Sequence, residues 1–367
     1  MTPSHTLILI APCVHDAPGV QSTVTGFGMK HVVTILYKKQ AEQSFPRLLK
    51  GSKINQKGQN RSNMDILDNP EKVLFVCNNY WQTTCQHHLD IAHETPHLYD
   101  FKDDFHPKNI KSGDRVFVKT DFLDAFLARV RPSIEAPFAL VTGHSDMSPS
   151  PEAASFVSRD PGIVSWEAQN IEFETDKIKA LPMGLSEPSR PIGDQSAFVL
   201  ALGDRKKAPK LAVPVMGDTH PVRAGLKIAI EELVAGAYGN LFDIPEGRQS
   251  PPDYLDLLGR NEYVLAPRGN AIDIHRVYEA VLMRTVPVYV GEPAPAFYGH
   301  LPVIVLQPNG PDDTLTDMLE RFLAALRDGK LPPLPTPEEW EKHIEKIAIP
   351  GGGYDVPPHL RNAEPSE

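Results

Sequence analysis

At 367 residues the chain is long for a single hydrophobic core, and two domains are the expectation. Its 37 basic and 47 acidic side chains leave a net charge of −10, which argues against a broad nucleic-acid-binding face; three cysteines (Cys13, Cys77, Cys85) make no disulfide framework and fit a reducing compartment. No stretch approaches the ~20 apolar residues of a membrane span, and the opening MTPSHTLILIAPCV lacks the basic front and long apolar run of a secretory leader.

In chain order, TLILIAPCV reads as a first buried strand, and the polar, basic stretch 40–70 as a loop or insertion. VLFVCN (73–78), DRVFVKT (114–120), APFALVTG (136–143), GIVSWE (162–167) and KIKALPMGL (177–185) read as strands, with a helix over 121–130. Strands alternating with helices predict a parallel sheet covered on both faces. SEPSRPIGDQSAF (186–198) reads as a linker, after which the pattern restarts. Strands are expected at 210–218, 263–269, 285–291 and 301–307, and helices at 222–236, 250–261, 273–284 and 312–329, the last closed by Gly329. A final helix over 336–347 has Thr336 as N-cap, Pro337 in the first turn and Glu339 completing a capping box. The fold class is therefore α/β, with two Rossmann-like domains facing across a cleft and a C-terminal closing helix.

The segment YVLAPRGNAIDIHRVYEAVLMRTVPVYV (263–290) is the most informative. Its PRGN turn stands at the carboxyl end of a predicted strand, where open α/β sheets bind ligands. Asp273 is placed to cap the next helix, whose N-terminus favours an anion. Arg276 adds a fork suited to phosphate oxygens, and Glu279, three residues on, a carboxylate suited to a ribose diol. An ordinary surface pair between Arg276 and Glu279 accounts for the spacing equally well.

Other clusters carry less. TGHSDMSPS (142–150) puts His144 and Asp146 at a strand end, where either could take a proton from a hydroxyl, although Ser, Asp and Gly also build plain turns. His15 and Asp16 raise the same possibility after the first strand, and Glu167 after GIVSW. Cys85, His87, His88, His93 and His97 fit no zinc spacing and read as a helix with surface histidines, so no metal site is expected. GFG (26–28) is too short for a phosphate loop, and GGGY (351–354) reads as a flexible tail.

LAPRG (265–269), IHR (274–276), Glu279 and TVPV (285–288) together resemble the nucleotide-sugar-binding motif of the exostosin-like glycosyltransferases. PVMGDTHPVRAGL (214–226) resembles that family's earlier Gly-turn, in which a downstream Arg, here Arg223, lies near the donor phosphates. The detailed likeness covers roughly 210–307. It departs from the pattern at Ile274 and His275, so the phosphate contact of a Ser hydroxyl is missing.

The resemblance implies a two-domain fold of the glycosyltransferase B type: 1–190 on the acceptor side, 191–335 binding the nucleotide sugar, and 336–367 as closing helix and tail. It implies donor contacts by Arg276, Arg223, Arg268 and Glu279, to which the turn and helix start add Gly269, Asn270 and Asp273 as expected donor-site residues; the catalytic base an inverting transfer needs is expected at Asp146 or His144, from their place at a strand end. The implied reaction moves a sugar from a nucleotide diphosphate sugar, expected to be a UDP-sugar, to a glycan, lipid-linked or other hydroxyl acceptor, with inversion, without a metal and without a cofactor. The implied setting is polysaccharide biosynthesis in the cytoplasm, at most peripheral at the membrane. Two alternatives stand beside it: an epimerase or hydrolase of nucleotide sugars on the same scaffold, and a non-catalytic carbohydrate-binding protein.

Overall fold

Runs of Val, Ile, Leu and aromatic residues that are apolar at nearly every position form the central strands, as parallel sheets covered on both faces require. The computed structural model describes residues 72–73, 75–77, 80–89, 105–187, 190–201, 206–349 and 354–355, all within one unit of the chain. The expected first strand, the 40–70 loop, GFG, Cys13, His15, Asp16, His93 and His97 lie outside the described residues.

Lys72–Val73 (β1) is followed by a helical turn at Tyr80–Thr83 and by the first sheet. That sheet comprises His87–Leu89 (β2), Arg115–Lys119 (β3), Phe138–Gly143 (β4), Ile163–Ala168 (β5) and Ile178–Ala180 (β6), parallel and in the order β2-β3-β4-β5-β6. Pro151–Arg159 (α1) links β4 to β5, with Ser150 capping it from the Ala153 N–H. Gln195–Ala201 (α2) leads to the second sheet: Ala208–Ala212 (β7), Phe242–Asp243 (β8), Asn261–Pro267 (β9), Val286–Val290 (β10) and Ile304–Leu306 (β11). These are parallel as well, in the order β11-β10-β9-β7-β8.

Pro221–Ala235 (α3), Pro251–Gly259 (α4) and His275–Leu282 (α5) connect the strands of the second sheet, and Leu315–Arg327 (α6) follows it. Leu226, Ala229, Ile230 and Leu233 bury one stripe of α3 at helical spacing. Pro337–Glu345 (α7) carries the expected capping box between Thr336 and Glu339 and packs on α5. Tyr354–Asp355 (β12), expected within a flexible tail, pairs antiparallel with β1.

The two-sheet α/β architecture matches the expectation, and several local expectations do not. The 121–130 helix is irregular, with 3₁₀ turns at Thr120–Phe122 and Arg131–Ser133 flanking one α turn and a π-type turn at Phe126–Val130. Residues 73–78 do not form one strand: Phe75 and Cys77 make single bridges, to Ala348 and Leu185. The 177–185 strand stops at Ala180 because Pro182 offers no N–H to a ladder. The linker contains α2, whose Gln195 side chain bonds both the N–H and the C=O of Phe75, at 2.9 and 3.0 Å. The histidines 87 and 88 lie on a strand, where His87 bonds Asp114 at 2.8 Å and His88 the Cys85 carbonyl at 2.7 Å.

Candidate anion site at the strand-order reversal

In the second sheet β8 is added on one side of β7, while β9, β10 and β11 follow on the other. Chain direction therefore reverses between β7 and β9, and the loops after these two strands diverge. Open α/β sheets take their ligands outside the carboxyl ends of strands at such a reversal. The loop after β7 runs through Gly217 to His220, and α3 then places Arg223 in its first turn. The loop after β9 carries Arg268, Gly269 and Asn270, and α5 places Arg276 in its first turn.

The three guanidiniums cross-brace this reversal. Arg223 donates from Nε to the Arg268 carbonyl at 2.8 Å and from Nη2 to the Pro267 carbonyl at 3.1 Å. Arg276 donates to the Val215 carbonyl at 3.0 Å and the Leu265 carbonyl at 3.4 Å. Arg268 lies over Gly291 and donates to the carbonyls of Glu292 at 2.6 Å, Asn270 at 3.2 Å and Gly269 at 3.3 Å. A Cβ on Gly269 would come within 3.3 Å of both Arg223 Nη2 and Thr219 Oγ1, so the glycine lets the loop lie against Arg223.

All these acceptors are neutral carbonyls. Among the described residues none of the three arginines forms an ion pair with a carboxylate. Burial, and then the nearby Arg276, lower the pKa of Arg223. Burial, then Arg268 and Arg223, lower that of His220. Positive charge without a direct ion-pair partner among the described residues is thus concentrated at one spot of a chain whose net charge is −10. An anion there would relieve the mutual repulsion.

The remaining predicted residues divide. Asp273 does not cap α5: Ile274 holds the N-cap position without a side-chain bond. The Asp273 carboxylate turns inward, at 1% exposure, and accepts from the Met183 N–H at 2.8 Å and the Tyr278 hydroxyl at 2.7 Å. It braces the loop from below. Glu279 is 5% exposed, because α5 is buried from Val277 through Leu282 between its sheet and α7. Glu279 thus lies on a covered side of α5, and the alternative of an ordinary surface pair with Arg276 does not describe it. Glu279 Oε2 accepts from the Tyr254 hydroxyl of α4 at 2.6 Å. Burial and then Glu279 push the Tyr254 pKa well up, while Arg276 pulls it back, which places Arg276 and Glu279 around one hydroxyl.

Asp146 and His144 come from the end of β4. His144 adopts φ +55, a left-handed conformation that a non-glycine residue holds only when its surroundings fix it. They do: the buried Gln169 accepts the His144 N–H at 2.8 Å, and Asn170 donates to the Ser145 carbonyl at 2.7 Å. Gly143 is needed because a Cβ there would meet Gln169 Oε1 at 2.3 Å. Asn170 also accepts the Asp273 N–H at 3.0 Å, so one side chain ties the β4 turn to the β9 loop. Across the same junction, the exposed Asp146 accepts from Asn270 Nδ2 at 3.3 Å. Glu167, in contrast, pairs with Arg115 at 2.6 Å.

Sequence reasoning missed Tyr254, Asn170, Gln169 and His220. The first three act across long separations that leave no local pattern. His220 had a readable signal: it precedes Pro221, and proline in the first helical turn marks the residue before it as the cap.

No family model matches this sequence, and no curated protein matches it. Among solved structures, similarity is found to an α,α-trehalose 6-phosphate synthase from Burkholderia multivorans, at 14% identity over 65% of this chain and 68% of that chain, with a TM-score of 0.36. A UDP-forming α,α-trehalose-phosphate synthase from Burkholderia vietnamiensis gives the same figures. A GtfA/B complex is similar at 10% identity over 65% of this chain and 54% of that chain, with a TM-score of 0.33. Likeness this faint assigns neither a family nor an activity.

Proposed function

We propose that the protein is a glycosyltransferase that takes a nucleotide diphosphate sugar, with UDP as the expected nucleotide, and passes the sugar to a hydroxyl acceptor. One observation carries this reading: Arg223, Arg268 and Arg276 converge at the strand-order reversal, bonded to backbone carbonyls and without an ion pair to a carboxylate among the described residues. The likeness of 265–288 to the exostosin-like motif agrees with it.

In this reading the diphosphate lies against the guanidiniums, near Gly269 and Asn270. Glu279 takes the ribose through the oxygen that Tyr254 does not hold. The acceptor hydroxyl gives its proton to Asp146 while its oxygen attacks the anomeric carbon from the face opposite the diphosphate. The bond from that carbon to the phosphate oxygen breaks, and its electron pair leaves with the nucleoside diphosphate. Charge grows on the departing phosphate, so fixed positive groups stabilise the transition state more than the ground state. The Asn270 contact holds Asp146 toward the donor loop. Guanidiniums fill the role that a divalent cation plays elsewhere.

Titration calorimetry with UDP and GDP tests the donor site. Wild type is expected to bind, and Arg276→Ala and Arg223→Ala each to weaken binding at least about tenfold, since a charge-assisted hydrogen bond contributes ~1.5–3 kcal/mol. Affinities that survive both substitutions would remove the arginines from the donor site. Products formed from donor alone would favour the epimerase or hydrolase alternative over transfer.

A further inference from the structure

His220 belongs to the loop after β7 and forms the N-cap of α3, accepting the Val222 N–H on Nδ1 at 3.3 Å. An imidazole nitrogen that accepts a hydrogen bond carries no proton, so in the neutral ring the proton sits on Nε2. That nitrogen has no hydrogen-bond partner among the described residues. His220 follows Thr219, whose Oγ1 borders Gly269 as Arg223 Nη2 does, so it belongs to the wall facing the Arg268 loop, and the charges of Arg268 and Arg223 reach its ring. No carboxylate pairs with it among the described residues, so nothing opposes the two guanidiniums in disfavouring a charged imidazole.

We propose that His220 is a further binding residue, whose Nε2–H donates a hydrogen bond to a phosphate oxygen of the nucleoside diphosphate held by Arg223 and Arg268. The assignment rests on the donor-site reading and extends it. The arginines supply charge, already shared with carbonyls. His220 supplies a directed donor whose tautomer is set by its own helix cap. As the sugar–phosphate bond breaks, the hydrogen bond strengthens toward the growing negative charge, and the proton remains on Nε2 throughout.

Cap and donor roles separate by substitution. Asn at an N-cap keeps an acceptor for the Val222 N–H but cannot extend a ring N–H to the phosphate. His220→Asn is therefore expected to hold its melting temperature near wild type and to lose roughly tenfold in affinity for UDP and for inorganic pyrophosphate. His220→Ala should lose both stability and affinity. Long-range ¹⁵N–¹H correlation on histidine-labelled wild type should show the Nε2–H tautomer. Wild-type binding that His220→Asn leaves unchanged, or an Nδ1–H tautomer, would overturn the role of His220 and leave the arginine site standing. Failure of wild type to bind either anion would overturn both.

Discussion

Asp273 shows how much one carboxylate can bear. Burial pushes its pKa up to about 6 from the ordinary 3.8, in spite of the Tyr278 and Met183 donors. Its second oxygen is buried without a hydrogen-bond partner among the described groups. His275, Tyr278, Tyr289 and Tyr298 all feel this charge. The folded-state pKa lies above the unfolded one, so the folded state holds the proton more tightly. The resulting stabilisation is complete below about pH 4 and is lost as pH rises through 6, and it is on the order of 3 kcal/mol at most. Asp273→Asn has no proton to lose. Its melting temperature relative to wild type should therefore be higher at pH 7 than at pH 4, and a pH-independent difference would contradict the account.

Among the elements, α4 and α5 meet through the Tyr254–Glu279 bond. Tyr254→Phe leaves a buried carboxylate short of its donor and should cost about 1.5–3 kcal/mol, read as a lower urea midpoint at constant slope. This contact also marks the limit of what the sequence discloses. Most strand and helix positions in 208–306 were legible, because apolar periodicity is local; the two-residue β8 was not, being too short to show a pattern. The capping box at Thr336 and Glu339 was legible for the same reason. The direction of Glu279 was not: spacing puts it on the Arg276 side of α5, but only the packing of α7 and α4 decides that this side is covered. The switch from capping to bracing at Asp273 depends likewise on Met183, which is remote in sequence. The location of the arginine cluster was readable from strand ends; its lack of carboxylate partners was not.

For the molecule as a whole, the closing segment matters beyond its length. Trp340 is buried on α7, Glu341 pairs with Arg284 at 2.7 Å, and His343 bonds the His300 carbonyl at 3.1 Å. Trp340→Ala should cost about 3–5 kcal/mol by chemical denaturation. A loss below 1 kcal/mol would mean that α7 is peripheral to the fold.

Beyond α7 the backbone of Ile347 accepts the Val76 N–H at 2.8 Å, and Leu185 donates to the Val76 carbonyl at 2.8 Å. Gly184 permits that approach, since a Cβ there would lie 2.1 Å from the same carbonyl. Residues 75–77 therefore rest between neighbours made much later in translation. A polypeptide emerging from a ribosome can lay down the first sheet long before these three residues gain their last partner. Their slot closes only once Ile347 and Ala348 have been made, so the order of synthesis lets this seam set later than the sheet whose strands precede Leu185.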